Sequence, residues 1–132
     1  CIAMHIFVHC NMMVTRTLVI IFQSVMKKGP DVAMTVISIQ SQVAFGHVGN
    51  SAAVFAMQMH GIDVIAVPTT LLSNRPGYKT IRGRVLDAPL VADLLLGVEE
   101  RGALDNCRMI LSGYLGSPEI AAVVADFVAR AS

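Results

Sequence analysis

At 132 residues, the chain can hold one domain with a substantial hydrophobic core and no more than one. Its hydrophobic share is 55%, against about 45–50% in typical soluble proteins, and its charged share is 14%, against about 25%. This composition is typical of an α/β domain whose parallel strands are covered on both faces. A net charge of +1 gives no reason to expect a nucleic acid as partner.

The apolar residues do not form a membrane anchor. The most apolar run, TLVIIF at residues 17–22, is about a third of the roughly 20 residues that a transmembrane helix needs, and it lacks a secretory cleavage site. Three cysteines are an odd number without framework spacing, which indicates free thiols in a reducing compartment. We therefore expect a cytoplasmic protein that has no membrane as a partner.

Residues 1–35 differ from the rest, because neither a helical nor a strand period persists across them. Residues 14–26 fit a strand and a short helix equally well. The possible zinc ligands in this leader are Cys1, His5, His9 and Cys10. Two of the four are adjacent and would point in different directions on a helix, so we expect no metal. Because the chain begins at a cysteine, we expect an added or upstream segment rather than a native start.

The segment VISIQSQVAFGHVGNS, residues 36–51, organises the rest of the sequence. Its β-branched run Val36–Gln40 predicts a strand, and Gly46 and Gly49 predict a loop before the next helix. In open α/β sheets, ligands bind at the carboxyl ends of the strands. The pattern therefore predicts a small-molecule site lined by Ser41 and by the backbone of the glycine loop.

Helices and strands alternate beyond this segment. The predicted elements are a helix Asn50–His60 with Asn50 as N-cap and Gly61 after its end, a strand Val64–Val67, a helix Pro89–Arg101, a strand Arg108–Leu111, and a helix from Ser117 and Pro118 to about Ala131. The first helix is expected to bury a stripe formed by Ala52, Phe55, Ala56 and Met59. Right-handed crossovers predict a parallel sheet with helices on both faces. Three strands make half of a doubly wound domain, so we expect a truncated one.

A long polar segment, residues 68–85, separates the second strand from the second helix. Its part Tyr78–Val85 is expected to pair back as a short hairpin and to form a flap over the site. The basic residues of this flap are Arg75, Lys79, Arg82 and Arg84, with no acidic residue among them. They form either a solvated loop or a contact for an anionic ligand such as a nucleotide phosphate.

Motifs and spacing alone predict only a small-molecule-binding α/β half-domain. The sequence contains no G-x-x-x-x-G-K-[ST] and no G-x-G-x-x-G, so neither a P-loop nor a dinucleotide fingerprint is present. His47 is expected to be structural, and Cys107 to be a small buried residue. Tyr114 either stacks on a flat ligand or packs against its neighbours.

Three longer segments identify a family when they are taken together: SIQSQVAFGHVGNSAAVFAMQMHG, then TTLLSNRPGY with RGRVL, then ILSGYLGS. In this order and spacing they resemble the amino-terminal part of pyridoxal kinases, in the ribokinase-like superfamily. The resemblance covers residues 36–132 and leaves 1–35 as a leader outside it. It implies a partial ribokinase-like α/β fold. For the complete enzyme it implies a homodimer that phosphorylates the 5′-hydroxyl of pyridoxal with ATP and magnesium, in vitamin B6 salvage.

The resemblance also implies a set of residues that bind the vitamer: Ser41, Val48, Thr70, Leu72, Pro76, Gly77 and Tyr114. Ser41 is expected to hydrogen-bond the pyridine ring. Many relatives have histidine where this chain has Gln42, and histidine and threonine where it has Arg75 and Pro76, so vitamer preference is open. The family's G-x-G-D segment, with the catalytic aspartate, and its nucleotide site lie in the carboxyl-terminal half. No G-x-G-D occurs here, so we assign no catalytic residue and expect the chain alone to be inactive.

Two other functions stay open on the sequence alone. One is a kinase for a related ring, such as hydroxymethylpyrimidine, on the same fold. The other is a non-catalytic module that binds a vitamer or a partner.

Overall fold

The computed structural model describes residues 22–24 and 34–131. In chain order the elements are β1 (Phe22–Ser24), β2 (Thr35–Phe45), α1 (Asn50–Met59), β3 (Asp63–Asn74), β4 (Gly83–Val85), α2 (Ala88–Glu100), a 3₁₀ turn (Ala103–Asp105), β5 (Cys107–Ser112) and α3 (Pro118–Ala131). The four possible zinc ligands of the leader lie outside the described residues. No helix in the described ranges is both long enough and apolar enough to cross a membrane.

The strands form one five-stranded sheet in the order β1-β5-β2-β3-β4. β2 is parallel to both of its neighbours, β5 and β3, which confirms the predicted parallel arrangement for the three central strands. The two short outer strands are antiparallel: β1 pairs with β5, and β4 pairs back on β3 as the predicted hairpin. Residues 22–24 are thus strand, at a place where the sequence allowed either a strand or a helix.

Helices cover both faces of the sheet, as predicted. Ile37 and Ile39 of β2 are fully buried and belong to the hydrophobic cluster that α2 and α3 complete. Ser38, which lies between them, hydrogen-bonds Asn50 at the start of α1. Because alternate side chains of a strand point to opposite faces, α1 lies on the face opposite α2 and α3. The helical members of the cluster include Val91, Leu95, Ile120, Val124 and Phe127.

β2 and β3 both extend further along the chain than their hydrophobic runs. β2 continues to Phe45, beyond the predicted end at Gln40, and β3 continues to Asn74, beyond the predicted end at Val67. Their continuations pair with each other, from Val43 opposite Leu72 to Phe45 opposite Asn74. Backbone pairing between the two strands, rather than the end of each β-branched run, therefore defines where these strands end.

The predicted apolar stripe of α1 is wrong, because it identifies the outer face of the helix. Phe55 is 68% exposed and Met59 is 69% exposed. The inner face is instead held by polar contacts, in which the Ser51 hydroxyl accepts from the Val43 N–H (3.0 Å) and donates to the Val43 carbonyl (2.6 Å). Hydrogen bonds to the sheet, not apolar packing alone, thus fix which side of α1 faces inward.

The predicted helix ends are confirmed where backbone chemistry defines them. At the end of α1, the N–H of Gly61 donates to Gln58 and the N–H of Ile62 donates to Met57, which is a Schellman pair around a glycine with positive φ. At the start of α3, the Ser117 hydroxyl accepts from the Ile120 N–H at 3.2 Å, as an N-cap does.

Candidate functional site

The carboxyl ends of the three parallel strands β5, β2 and β3 meet at one edge of the sheet. Ser41 lies in β2, Thr70 lies in β3, and Tyr114 follows β5 by two residues. Because β2 lies between the other two strands, Ser41 is central to the group. This edge is where ligands bind in sheets of this kind.

A β-bulge lies beside Ser41. The pairing of β2 with β3 places Gln40 opposite Pro68 and Gln42 opposite Leu71, so that Ser41 alone faces the two residues Thr69 and Thr70. Such an extra residue bends the strand and redirects side chains, and bulges are common next to active sites. No residue pattern in the sequence predicts this bulge.

The two threonines of the bulge have different hydrogen-bonding states. The Thr69 hydroxyl donates to the carbonyl of Tyr114 at 2.7 Å, which ties β3 to the loop after β5. Thr70 is fully buried, and its hydroxyl has no hydrogen-bond partner among the described residues. Leaving a buried hydroxyl unpaired costs roughly 1–3 kcal/mol. Because Thr70 is 0% exposed, a ligand reaches this hydroxyl only if neighbouring groups move.

The glycine loop between β2 and α1 approaches Ser41 closely. Gly49 has a φ of 56°, and a Cβ placed on it would lie 2.6 Å from the Ser41 hydroxyl oxygen and closer still to the Ser41 carbonyl oxygen. Only glycine allows this approach. Val48, the preceding residue of the loop, is half-buried.

Asn50 is not the N-cap that the sequence predicts. Gly49 occupies the N-cap position, and the Asn50 side chain is buried beneath the site. Its carbonyl oxygen accepts from the Ser38 hydroxyl at 2.8 Å, and its amide nitrogen donates to the carbonyls of Gln40 (3.3 Å) and Val67 (3.4 Å). The asparagine thus joins α1, β2 and β3 instead of capping the helix.

The predicted flap is the far end of the β3–β4 hairpin. Pro76 and Gly77 are exposed at its tip. The tip contacts the end of β2, where the rings of Tyr78 and Phe45 meet edge to face at 6.1 Å, and the Arg75 guanidinium lies 5.2 Å from the centre of the Tyr78 ring. The tip begins beyond Asn74, about 13 Å along the strand from Thr70.

The seven predicted vitamer-binding residues therefore fall into two groups. Four of them, Ser41, Val48, Thr70 and Tyr114, lie around the carboxyl ends of the parallel strands, whereas Pro76 and Gly77 lie at the hairpin tip. Leu72 is between these groups, opposite Val43. It lines an open groove of about 400 Å³ together with Gln42, Val43, Ala44, Leu71, Ser73, Arg82 and Gly83.

The charged and metal-binding side chains near the site are few. The four basic residues of the flap are exposed, and none of them forms an ion pair with another described residue. Whether they bind an anionic ligand stays a prediction. No group of three histidine, cysteine or acidic side chains suited to a metal ion occurs in residues 22–24 and 34–131. His47 is exposed in the glycine loop.

Comparison with known proteins relates the chain to one enzyme family, although no family model matches it. It is 50% identical over 97 residues to the pyridoxal kinase PdxY of Rubrobacter xylanophilus. The aligned segment covers 74% of this chain and 33% of that protein. The chain is homologous to pyridoxal kinases. Its fold matches the pyridoxal kinase of Leishmania donovani, in complex with ADP and pyridoxamine, with a TM-score of 0.70 and 39% identity. This match covers 74% of this chain and 34% of the kinase.

The fold is shared more widely than the family. A putative phosphomethylpyrimidine kinase from Bacteroides thetaiotaomicron matches with a TM-score of 0.67 at 19% identity, covering 80% of this chain and 36% of that one. The chain spans about a third of the length of the pyridoxal kinases that it matches. These matches confirm the predicted ribokinase-like fold and the resemblance to pyridoxal kinases.

Proposed function

We propose that this chain supplies the vitamer-binding part of a pyridoxal kinase, which transfers the γ-phosphoryl group of ATP to the 5′-hydroxyl of pyridoxal. The observation that carries the proposal is the bulge that sets Ser41 opposite Thr69 and Thr70, with the buried Thr70 hydroxyl unpartnered among the described residues. The Leishmania donovani homologue in complex with ADP and pyridoxamine supports it.

A vitamer of the B6 group is a flat heteroaromatic ring with hydroxyl substituents, and such ligands need a few placed polar groups between apolar walls. In the proposed arrangement, Ser41 and Thr70 hydrogen-bond the polar atoms of the ring. Val48, Leu72 and the ring of Tyr114 form the walls. Pro76 and Gly77 then cover the ligand from the hairpin tip. The chain's own residues bind and orient the vitamer, and no described residue is assigned a proton-transfer step.

ATP and magnesium belong to the proposed reaction of the whole enzyme. The described residues do not fit a magnesium site, because they contain no cluster of acidic or other ligating side chains. The sequence also has neither a P-loop nor a G-x-G-D segment. We therefore assign no step through the metal here. The nucleotide and metal sites are proposed to belong to the two thirds of the relatives that this chain does not span.

Calorimetric titration with pyridoxine tests the binding role. Pyridoxine lacks the aldehyde of pyridoxal and cannot react with lysine amines. We expect the purified chain to bind it, and Thr70→Val to weaken binding about tenfold, the equivalent of one hydrogen bond of roughly 1.4 kcal/mol. Thr35→Val makes the same change at a buried position at the amino end of β2, away from the strand ends that form the site, and should leave binding unchanged. Absence of pyridoxine binding would refute the proposal, and binding of hydroxymethylpyrimidine instead would favour the related kinase.

A turnover assay tests whether this chain lacks kinase activity by itself. The purified 132-residue chain, given ATP, magnesium and pyridoxal, is expected to form no pyridoxal phosphate. Product formation that is absent from a mock preparation, made from the same host without this chain, would show that the chain catalyses the reaction by itself and would overturn this part of the proposal. Formation that appears equally in the mock preparation would come from a contaminating kinase. A homodimer and a cytoplasmic location for the complete enzyme stay predictions.

A further inference from the structure

The polar network beneath the candidate site forms a closed ring of hydrogen bonds. The Gln40 side-chain amide donates to the Ser38 hydroxyl at 2.8 Å, and that hydroxyl donates to the Asn50 carbonyl oxygen at 2.8 Å. The Asn50 amide then donates to the backbone carbonyl of Gln40. All three side chains are at most 9% exposed. Because every donor in the ring faces an acceptor, the orientation of the Asn50 amide is fixed.

Asn50 acts where the pairing of β2 and β3 changes register. Its amide nitrogen donates to the carbonyl of Gln40 in β2 and to the carbonyl of Val67 in β3. The regular pairing ends at Gln40, and the bulge opposite Ser41 begins with the next residue. One side chain thus joins both strands immediately before the bulge. Since buried carbonyls need donors, this contact satisfies both carbonyls at the point where the pairing of the two strands shifts register.

The same network also reaches the loop that carries Tyr114. Gly113 packs on the Gln40 side chain so closely that a Cβ at Gly113 would lie 2.5 Å from the Gln40 amide oxygen. The Gly113 N–H donates to the Ile39 carbonyl at 3.0 Å. A displacement of Gln40 would therefore move the loop after β5 as well as the strand that holds Ser41.

We propose that Asn50 is a positioning residue for the vitamer site: its side-chain amide sets the bulge and so the placement of Ser41 relative to Thr70. This inference rests on the proposed function for its ligand, but its structural part is independent of any ligand. Asn50 does not touch the vitamer in this account. It acts through the backbone of Gln40 and Val67.

Asn50→Asp is the sharpest test, because it keeps the shape and the acceptor but removes both amide donors. The carboxylate would face two carbonyl oxygens. Asn106→Asp makes the same change at an exposed position. Ser51→Ala is the second control, because it removes hydrogen bonds between the same helix and β2 at Val43, beyond the bulge. Asn50→Ala brings no charge into the core and serves if the aspartate variant does not fold.

The first readout is amide hydrogen exchange, which needs no ligand. We expect the amides of residues 40–42, Val67, Thr69 and Thr70 to exchange about tenfold faster in Asn50→Asp, relative to the core amide of Ile110, which corresponds to roughly 1.4 kcal/mol. Neither control should change this ratio. An unchanged ratio, or equally faster exchange throughout the chain, would overturn the proposal, because either result shows that Asn50 has no specific effect at the bulge.

The second readout is pyridoxine binding by calorimetry. We expect the affinity to fall about tenfold or more in the Asn50 variant, equivalent to ~1.4 kcal/mol, and to be kept in Ser51→Ala even if that variant melts earlier. If the unaltered chain binds no pyridoxine, the proposed function fails, while the exchange ratio still decides the positioning role. Unchanged affinity in a folded Asn50 variant would overturn the link between the network and the site.

Discussion

Replacing Gly49 by alanine should destabilise the fold and also displace Ser41 in the candidate site. Gly49 has φ 56° and ψ −139°, a combination that alanine rarely adopts. The added methyl group would also collide with the backbone carbonyl and the hydroxyl of Ser41. Most of the collision is with backbone atoms, so no side-chain rotation relieves it.

The loss of unfolding free energy is the sum of the backbone strain and the cost of the collision. Backbone strain of this kind costs about 1–3 kcal/mol. Forcing an added methyl group into a packed place costs about 1–3 kcal/mol more. The sum, roughly 2–6 kcal/mol, is a large part of the 5–15 kcal/mol by which domains are typically stable. With an m-value of about 2 kcal/mol/M, the urea midpoint should fall by about 1–3 M.

Gly46→Ala separates the two terms in a urea titration followed by circular dichroism. Gly46 lies in the same loop with φ 106°, but its added Cβ would meet no atom within 4 Å, so only the strain applies. Gly97→Ala, in the last turn of α2 with open space around it, should instead stabilise by up to about 0.5–1 kcal/mol. If Gly49→Ala were no more destabilising than Gly46→Ala, the close approach to Ser41 would be refuted.

The other predictions concern the core, the buried thiol and the start of α3. Phe127→Ala should lose about 3–5 kcal/mol of unfolding free energy, whereas Phe55→Ala, at a 68% exposed position, should lose less than about 1 kcal/mol; equal losses would contradict the orientation of α1. Burial raises the pKa of the Cys107 thiol in the folded chain. Above the ordinary thiol pKa the unfolded chain loses this proton while the folded chain keeps it, so the free energy of unfolding should fall as pH rises through that range. With the other two cysteines changed to serine, labelling of Cys107 should be slow until urea unfolds the chain, and rapid native labelling would contradict its burial. Hydrogen bonds from its own backbone N–H and from the N-cap hydroxyl lower the pKa of Glu119. The stabilisation it provides should be lost as pH falls through that lowered pKa, and urea midpoints of Glu119→Gln, but not of the control Glu100→Gln, should show a flatter acid dependence.

The sequence predicts where elements lie better than where they end or which side faces inward. Periodicity and cap residues locate α2, α3 and the three parallel strands, because burial and capping act locally. The extension of β2 to Phe45 depends on pairing with β3, a contact between distant parts of the chain. The face of α1 depends on hydrogen bonds from Asn50 and Ser51 to the sheet, which an apolar stripe cannot reveal.

In the candidate site, too, local patterns predict some features and miss those that depend on tertiary contacts. The strand-end rule and the resemblance place Ser41 and Tyr114 near one another, and the structure puts both at the predicted edge. The bulge and the Thr69 contact to Tyr114 were not predicted, since two adjacent threonines after Pro68 carry no specific local signal. Asn50 was misassigned because asparagine before a helix is usually a cap. Its burial against β2 and β3, whose carbonyls its amide binds, is a tertiary effect.

The most direct test of the vitamer site is to map pyridoxine on the ¹⁵N-labelled chain by NMR. The account predicts that amide shifts change on titration at Ser41, Val48, Thr70 and Tyr114, with little change in the cleft between α2 and α3 around Phe127. It further predicts that Thr70→Val reduces these changes at a given pyridoxine concentration. Shifts confined to other surfaces, or no shifts at saturating pyridoxine, would contradict the central claim that the strand ends around Ser41 bind the vitamer.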